Sequence, residues 1–480
     1  MTDARRTFTR RAWLKGAGRL GLGAAGLSFV AACAPAPTTP ASQRPTSAPA
    51  AGSAGQTVAP ATAAQPVTLT VLLPEHWKVV EGLRANSKET VPSRRLWFYE
   101  RQKQWEQEHP ETTFQWQTAQ WEQIPTNFIT ASQANNPPDL VTFDAGYLYA
   151  VASGGYLAPL NDFKYDEWDD FNPYVQNEIL TIDGNKYGLS NYLASWGLMY
   201  NKALLEEASF SEPPKTWDEV LTQGKALTKD THGSGQPDQW GFGALMMGEL
   251  NQGPPEHLAS MVWSQGGDVM DKDRRALTDT PEMRRAVQQL VDLVNARVMS
   301  KDVISMKAND EINLMANKVW ATGLLGSGYY PPIVEKLGKE NVGFTYYPKF
   351  PGGQDVGPVE VFAWHMAKKT AGDQRRAQAA FEWMKFQAAN ETLLLAAKYQ
   401  FGQPSRKSAA SDPVFSADPV LKFMAEYTAT KARPLPHMVE KEYWYETLMK
   451  GVHAALLGQK PVDQALKDAQ AEYNARARRA

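Results

Sequence analysis

Hydrophobic and polar positions in the middle of the chain predict a unit in which a strand leads into a helix. Asp183-Gly184 is typical of a tight hairpin turn. The apolar run from Trp196 to Tyr200 predicts a buried strand, and the polar and aromatic residues 190–195 before it predict a loop. Further on, Thr216 is a good N-cap and Glu219 completes a capping box, so a helix is expected to begin there.

The same alternation of strands and helices extends in both directions along the chain. A β-branched, apolar run at residues 67–73 predicts a first strand, and Asp144 stands at the end of another buried strand. A further strand places Glu360, Phe362 and Trp364 on one side, because strand side chains alternate between the two faces. These patterns predict an α/β fold.

Length and charge limit the classes of protein to consider. At 480 residues the chain is long enough for two or more domains. The 50 Lys and Arg residues nearly balance the 52 Asp and Glu residues, so the charge does not favour a nucleic acid as partner. The content of 15 Trp and 18 Tyr is high, which suits a core but also a pocket with flat apolar faces.

The N-terminus has the features of an export signal. Residues 1–32 combine a basic start with a short apolar run, and the segment from Thr9 to Lys15 resembles the twin-arginine signal. Val30-Ala31-Ala32-Cys33 resembles the lipobox of bacterial lipoproteins, which implies cleavage before Cys33 and lipid on that residue. The alternative is an ordinary cleaved signal with an incidental cysteine.

The segment after the signal differs in composition from the rest. Residues 33–65 consist mainly of Ala, Pro, Ser, Thr and Gly, so they cannot bury a core, and we expect a disordered tether. Cys33 is the single cysteine, which excludes an internal disulfide. The sequence therefore predicts a soluble body, residues 66–480, anchored to a membrane by lipid.

Motifs of the common catalytic classes are absent from the sequence. It has no GxSxG, HExxH, P-loop or CxxC pattern, and its seven His residues lack metal-ligand spacing. The loop Asp230–Asp238 faintly resembles a calcium loop, but Thr231 and His232 are poor substitutes for oxygen ligands, so a structured turn is expected. We expect no metal and no cofactor. Carboxylates are plentiful, but no sequence pattern identifies a pair that could act as the two catalytic groups of a glycoside hydrolase.

Three stretches together resemble a known family. They are DGNKYGL from Asp183, LMYNKALLEEA from Leu198 and PPKTWDEVLTQGKALT from Pro213, and further matches extend from about Pro137 to Tyr473. They resemble the extracellular solute-binding proteins of ABC importers, in the class that mostly takes sugars and oligosaccharides. The resemblance implies a two-lobed periplasmic-binding-protein fold with several crossovers between the lobes and a ligand cleft between them.

The resemblance also implies approximate boundaries for the lobes. Lobe 1 is expected to contain residues 66–180 and part of 320–390. Lobe 2 is expected to contain residues 190–320 and most of 390–480. The segment Lys78–Arg95 is longer than the usual first loop of the family and suggests an extra lip on the cleft.

Aromatic and polar residues near the implied cleft are the candidates for ligand contacts. Asp144 follows a strand end, where open α/β sheets bind ligands, although it could equally cap the helix that follows. The aromatic candidates offer flat faces and the others offer hydrogen bonds. The predicted pocket consists of Trp77, Asp144, Asn191, Trp196, Trp263, Tyr329, Trp364 and Arg406.

The family implies that the protein captures a sugar or oligosaccharide and delivers it to the subunits of an ABC permease, without acting as an enzyme. It would be an exported monomer, lipid-anchored to the outer face of the cytoplasmic membrane. A secreted carbohydrate-active enzyme is the main alternative. A two-lobed sensory or scaffold lipoprotein that binds a non-sugar solute is another.

Overall fold

The structure, a computed structural model, describes residues 66–247, 253–307, 310–399 and 402–477. Its strands are β1 (Val67–Pro74), β2 (Thr112–Ala119), β3 (Leu140–Asp144), β4 (Thr181–Ile182), β5 (Asn185–Lys186), β6 (Leu189–Asn201), β7 (Trp240–Gly243), β8 (Trp320–Gly326), β9 (Val342–Thr345), β10 (Gly357–Met366) and β11 (Ala432–Arg433).

Helices surround the strands and form the outer layers. They are α1 (Val80–Ala85), α2 (Leu96–Glu108), α3 (Ile124–Gln133), α4 (Leu148–Ser153), α5 (Lys202–Glu207), α6 (Trp217–Leu227), α7 (Pro254–Ser264), α8 (Pro281–Asn295), α9 (Asp310–Ala316), α10 (Tyr330–Leu337), α11 (Gln374–Gln387), α12 (Asn390–Lys398), α13 (Lys407–Ala410), α14 (Pro413–Ser416), α15 (Pro419–Thr430), α16 (Lys441–Leu456) and α17 (Val462–Ala477).

Local signals in the sequence hold in the structure. The predicted turn joins β4 to β5, and both Asp183 and Gly184 have positive φ (50° and 79°), as a two-residue hairpin turn requires. The capping box is present, since Thr216 accepts a hydrogen bond from the Glu219 amide and the Glu219 side chain accepts from the Thr216 amide. Short-range patterns therefore placed these elements correctly.

One continuous sheet contains nine of the described strands. Its order is β2-β1-β3-β10-β6-β8-β7, with β11 added at β10 and β9 added at β6. Strands β1, β2 and β3 are parallel, whereas β10 is antiparallel to both β3 and β6. The fold is thus α/β with a mixed sheet, as expected from the sequence.

Strand β6 connects the two halves of this sheet. Its first part, residues 189–195, pairs with β10, and its second part, residues 196–201, pairs with β8 and β9. The prediction of a loop at residues 190–195 was wrong, because this stretch is strand. The backbone of this stretch is buried, so its N–H and C=O groups need hydrogen-bond partners. Neighbouring strands supply them, even though the side chains are polar.

Apolar side chains on the two faces of the β2-β1-β3-β10 region form two clusters. Successive residues of β1 alternate between them: Val71 packs into one cluster and Leu72 into the other. The helices of the first cluster include α2 and α11, and those of the second include α3 and α4. We call the part of the molecule built on these two clusters lobe 1.

A third, larger cluster of buried side chains lies beyond the crossing of β6. It draws its residues from 196–356 and 421–477, so the strands β8 and β9 belong to it, together with helices α7, α8, α16 and α17. We call this part lobe 2. Helix α12 contributes Ala396 to a lobe 1 cluster instead. The molecule is therefore two-lobed.

Among the described residues, no helix is long and apolar enough to cross a membrane. The predicted export signal, the lipid site at Cys33 and the tether up to residue 65 lie outside the described residues.

Candidate functional site

Three carboxylates from different parts of the chain meet where lobe 1 approaches lobe 2. Asp144 ends β3 in lobe 1, Glu360 lies on β10, and Glu256 lies in the first turn of α7 in lobe 2. Together with Lys441, at the start of α16, they line one cavity of about 20 Å³. Such a space holds about one water molecule, so the two lobes are nearly in contact at this point.

Two of these carboxylates accept hydrogen bonds from nearby donors. Asp144 accepts from the Gly146 amide at 2.6 Å, which confirms its predicted role as a helix cap. Glu256 is 5% exposed, and its two oxygens accept from the Gly253 amide at 2.7 Å and from the Tyr445 hydroxyl at 2.6 Å. Buried carboxylates need such donors, because removing a carboxylate from water without a hydrogen-bond partner costs on the order of several kcal/mol.

Glu360 has a different environment. The pKa of its carboxyl is raised well above the ordinary value by burial first, and then by the negative charges of Asp144 and Glu256. The Trp196 indole and the Lys441 ammonium group lower it, but less strongly. Glu360 therefore holds a proton to a higher pH than an ordinary carboxyl group does.

Aromatic rings border the carboxylates on both sides. On the lobe 2 side, the Trp196 ring meets Tyr329 at 5.9 Å and His257 at 5.3 Å between centroids, both edge to face. On the lobe 1 side, Phe362 lies 5.5 Å from Trp121. Flat apolar surfaces thus lie beside groups that accept hydrogen bonds.

The segment Lys78–Arg95 reaches this region from lobe 1. The Tyr329 hydroxyl is hydrogen-bonded to Glu311, and its pKa is raised by burial, by Glu311 and by Glu360, while the charge of Arg94 lowers it. Arg94 comes from a short 3-10 turn at the end of the segment. Its neighbour Arg95 is buried over the Trp77 ring, 4.4 Å from the centroid. The long loop therefore brings positive charge close to side chains of lobe 2.

Of the eight residues predicted from the sequence, the structure brings three together at the lobe junction: Asp144, Trp196 and Tyr329. Trp77 and Trp364 lie inside lobe 1, where they are 1% and 0% exposed and their ring centroids are 6.3 Å apart. Neither ring presents a free face in this structure.

Trp263 lies in lobe 2, buried in α7. The Arg433 guanidinium covers its ring at 4.7 Å, and its indole N–H donates to Asp268 at 3.4 Å. This residue supports the packing of α7 against the chain around β11.

Asn191 and Arg406 are also buried. Asn191 lies in β6 where the register against β10 shifts, and its side-chain amide has no hydrogen-bond partner among the described residues. Arg406 donates to Glu167 at 2.6 Å and to Asp170 at 3.3 Å, and also contacts the Tyr165 hydroxyl. It thereby fixes the acidic and aromatic segment that precedes Tyr174.

Sequence reasoning missed the other groups at the junction: Trp121, Glu256, Glu311, Glu360, Phe362, Lys441 and Tyr445. The sequence did contain a signal for Glu360. It is a charged residue in an otherwise apolar strand, on the same side as Phe362, and a charged residue in such a position often has a functional role. Lys441 gave no such signal, because it reaches the cavity only through the packing of α16.

Among the described residues, no group of three or more His, Cys, Asp or Glu side chains is arranged to hold a metal ion. The loop Asp230–Asp238 is a structured turn, as predicted. Asp230 accepts from the amides of Ser234 and Gly235, and Asp238 accepts from Thr231. The carboxylates of this loop are thus engaged with its own backbone.

Tyr445→Phe is expected to lower the free energy of unfolding by about 1–3 kcal/mol, because the buried Glu256 side chain would lose one hydrogen-bond donor. Urea unfolding followed by circular dichroism measures the change. The control is Tyr443→Phe on the same helix, whose partly exposed ring packs under Arg476 and whose loss should cost less than about 0.5 kcal/mol. Equal unfolding midpoints for Tyr445→Phe and the wild type would contradict this role of the hydrogen bond.

Comparison with known proteins places the chain in a family. Residues 100–422, well over half of the chain, match the family model described as bacterial extracellular solute-binding protein. A relative from Brucella abortus (strain 2308), described as a binding protein, is 26% identical over 220 residues, which are 45% of this chain and 51% of the relative. The chain thus spans about half the length of that relative.

Two further proteins are similar over most of their length. The diacetylchitobiose-binding protein DasA of Streptomyces coelicolor is 22% identical over 377 residues, 74% of this chain and 81% of DasA. The structure of maltose-bound MalE3 from T. maritima superposes with a TM-score of 0.72 at 21% identity, covering 85% of this chain and 99% of MalE3, which shows the same fold. The chain belongs to the family of bacterial extracellular solute-binding proteins.

Proposed function

We propose that this protein captures a sugar or oligosaccharide between its lobes and delivers it to the membrane subunits of an ABC importer. The observation that carries the proposal is the meeting of Asp144, Glu256 and Glu360 with the rings of Trp196 and Phe362 at the lobe junction. Sugars present C–H faces that pack on aromatic rings, and their hydroxyl groups need partners that carboxylates supply strongly.

The crossing strands supply the hinge for this capture. The chain passes between the lobes along β6 and again between Val356 and the start of β10, so we propose that the lobes rotate about these crossings without breaking their cores. A ligand that touches both lobes binds the closed form better, so it shifts the equilibrium toward closure. A permease would then recognise the closed, loaded form.

The ligand contacts that we propose combine predicted and newly found residues. From the predicted set we retain Asp144, Trp196 and Tyr329. We add residues of the junction that the sequence did not single out as ligand contacts: Trp121, Glu256, Glu360 and Phe362. The other predicted residues, Trp77, Asn191, Trp263, Trp364 and Arg406, we propose as structural supports, since each is buried within the fold.

Relatives favour a carbohydrate over other solutes. DasA is described as a diacetylchitobiose-binding protein, and MalE3 was solved with maltose bound. Both are binding proteins, which favours capture without turnover over the alternative of a carbohydrate-active enzyme.

We further propose that the protein is exported, anchored by lipid at Cys33 and monomeric. More than one acyl chain gives stable attachment to a bilayer, while residues 33–65 would act as a flexible tether. The body would then move freely near the outer face of the membrane, where a permease takes up its ligand.

A thermal-shift screen of the purified chain tests the ligand class. Neutral mono- and oligosaccharides, polyamines and short peptides are compared, and a ligand of the folded state must raise the melting temperature. We expect a shift with at least one neutral sugar and no change in that sugar after prolonged incubation, as judged by chromatography. Shifts with peptides or polyamines alone would overturn the sugar proposal, and conversion of the sugar would favour the enzyme.

Trp196→Ala is expected to weaken binding of the sugar found in that screen by about 1 kcal/mol or more, because a stacking face is lost. Since Trp196 is only 5% exposed and belongs to the lobe 2 cluster, the melting temperature should also fall. Calorimetry on the folded variant separates the two effects. Trp168→Ala is the control, because that ring packs on Tyr165 and Lys186; equal affinity in both variants would remove Trp196 from the site.

Cys33→Ser is expected to move the protein from the membrane fraction to the soluble exported fraction, because it removes the thiol that would carry lipid. Fractionation of expressing bacteria and mass spectrometry of the N-terminal peptide measure this. Ser53→Ala, in the tether, should leave the distribution unchanged. An unmodified Cys33 in the wild-type protein would show that the anchor does not exist.

A further inference from the structure

The three carboxylates at the lobe junction are divided between the two lobes, so an opening of the cleft would separate them. Glu256 is held by α7 and α16 of lobe 2, through its own helix and through Tyr445. Asp144 belongs to lobe 1, and Glu360 lies on β10 next to it in the sheet. Closure therefore brings like charges into one small cavity, and opening separates Glu256 from the other two.

Bringing like charges together favours protonation of one of them. The cavity places three carboxylates against one ammonium group, that of Lys441, in surroundings with little water. Asp144 accepts a hydrogen bond from the Gly146 amide, and Glu256 accepts from the Gly253 amide and the Tyr445 hydroxyl. For Glu360, the Trp196 indole and the Lys441 ammonium group offset burial and the two neighbouring carboxylates only in part, and its raised pKa agrees with its being the acceptor of the proton.

The histidine and the tyrosines near Glu360 do not change charge in the range where a carboxyl group titrates. Burial lowers the pKa of His257 to about 3, so its imidazole stays neutral, and burial raises the pKa values of Tyr192, Tyr329, Tyr347 and Tyr445. Charged and titratable side chains surround Glu360 from both lobes. Those from lobe 1 are Asp144 at the end of β3, Tyr147 after it, Tyr192 on β6, and Arg94 and Arg95 before α2. Those from lobe 2 are Glu256 and His257 on α7, Lys441 and Tyr445 on α16, and Glu311, Tyr329 and Tyr347.

We propose that closure of the cleft over its ligand takes up one proton, which Glu360 holds between Asp144 and Glu256, so that the solute is captured more tightly as the surroundings become more acidic. This inference rests on the proposed function, since it concerns the same cleft. It makes Glu360 a positioning residue for closure in addition to a ligand contact.

The direction of the pH dependence follows from the two states. In the structure described, burial and the charges of Asp144 and Glu256 raise the pKa of Glu360. Opening would expose Glu360 to water and move Glu256 away, so its pKa would return toward the ordinary value of a carboxyl group. Below the open-state value both forms carry the proton and closure is strongest. As the pH rises from there to the closed-state value, the open form loses its proton first, so affinity falls by up to about tenfold per pH unit.

Calorimetry on the full chain tests this proposal, with maltose and diacetylchitobiose as first probes and then the best sugar of the screen. The same titration in buffers of different ionisation enthalpy gives the number of protons taken up. We expect uptake approaching one proton and a falling affinity as the pH rises above about 5. Binding with constant affinity and no uptake would overturn the proton linkage and leave the proposed function intact.

Glu360→Gln separates this mechanism from a general effect of pH. The amide imitates the protonated acid, so the slope of affinity against pH should vanish within about twofold, whatever the absolute affinity of the variant. Glu206→Gln, an exposed substitution on α5, should keep the slope of the wild type. A slope that persists in Glu360→Gln would assign the proton to another group and overturn the proposal.

A measurement without ligand completes the test. Small-angle X-ray scattering of the free protein across the same pH range reports the opening of the lobes. We expect the wild type to become more compact as the pH falls and Glu360→Gln to stay equally compact throughout. If no sugar binds in any assay, the proposed function fails, while this measurement still decides whether protonation of Glu360 favours closure.

Discussion

The two-lobed structure depends on the backbone ladder of one strand, β6. Its first half pairs with β10 in lobe 1, and its second half pairs with β8 and β9 in lobe 2. Because every buried peptide group needs a partner, the strand cannot leave either half without loss of several hydrogen bonds. Any movement of the lobes against each other must therefore bend or twist β6, and the candidate functional site lies beside this strand.

Electrostatics distinguishes the lobe junction from the two cores. Within lobe 1, the buried carboxylate of Asp139 is fully engaged, with the Thr70 amide, Thr370 and Arg376 as partners. At the junction, by contrast, three carboxylates share one cavity with a single ammonium group. Burial of excess charge is costly and does little for stability. We explain this unfavourable cluster of carboxylates by the proposed function. When the cleft closes, the hydroxyl groups of the ligand or a bound proton would offset the cost of burying the charges.

Most of the aromatic residues serve packing. The rings of Trp77, Trp97, Phe98, Trp364 and Trp383 form a continuous cluster inside lobe 1, with neighbouring centroids 4.6–6.4 Å apart. The high Trp content therefore reflects a densely aromatic core more than a large stacking surface. The rings at the junction are fewer, and they are marked by the carboxylates beside them.

The sequence by itself determined the local elements and the family. The hairpin at Asp183-Gly184, the capping box at Thr216 and the strand that ends at Asp144 all depend on neighbours within a few residues. Short-range geometry and capping are encoded there directly. The motifs that resemble solute-binding proteins extend over most of the body, and for that reason the two-lobed α/β fold was predictable.

Only the tertiary structure decided which side chains meet at the cleft. Asp144, Glu256 and Glu360 are more than 100 positions apart from each other, and Lys441 joins them because α16 packs on lobe 2. No local pattern reports such long-range contacts, nor does it distinguish Trp196 at the junction from Trp364 in the core, since both lie in apolar strands. That distinction depends on how the two lobes pack around β6, and thus on the whole chain.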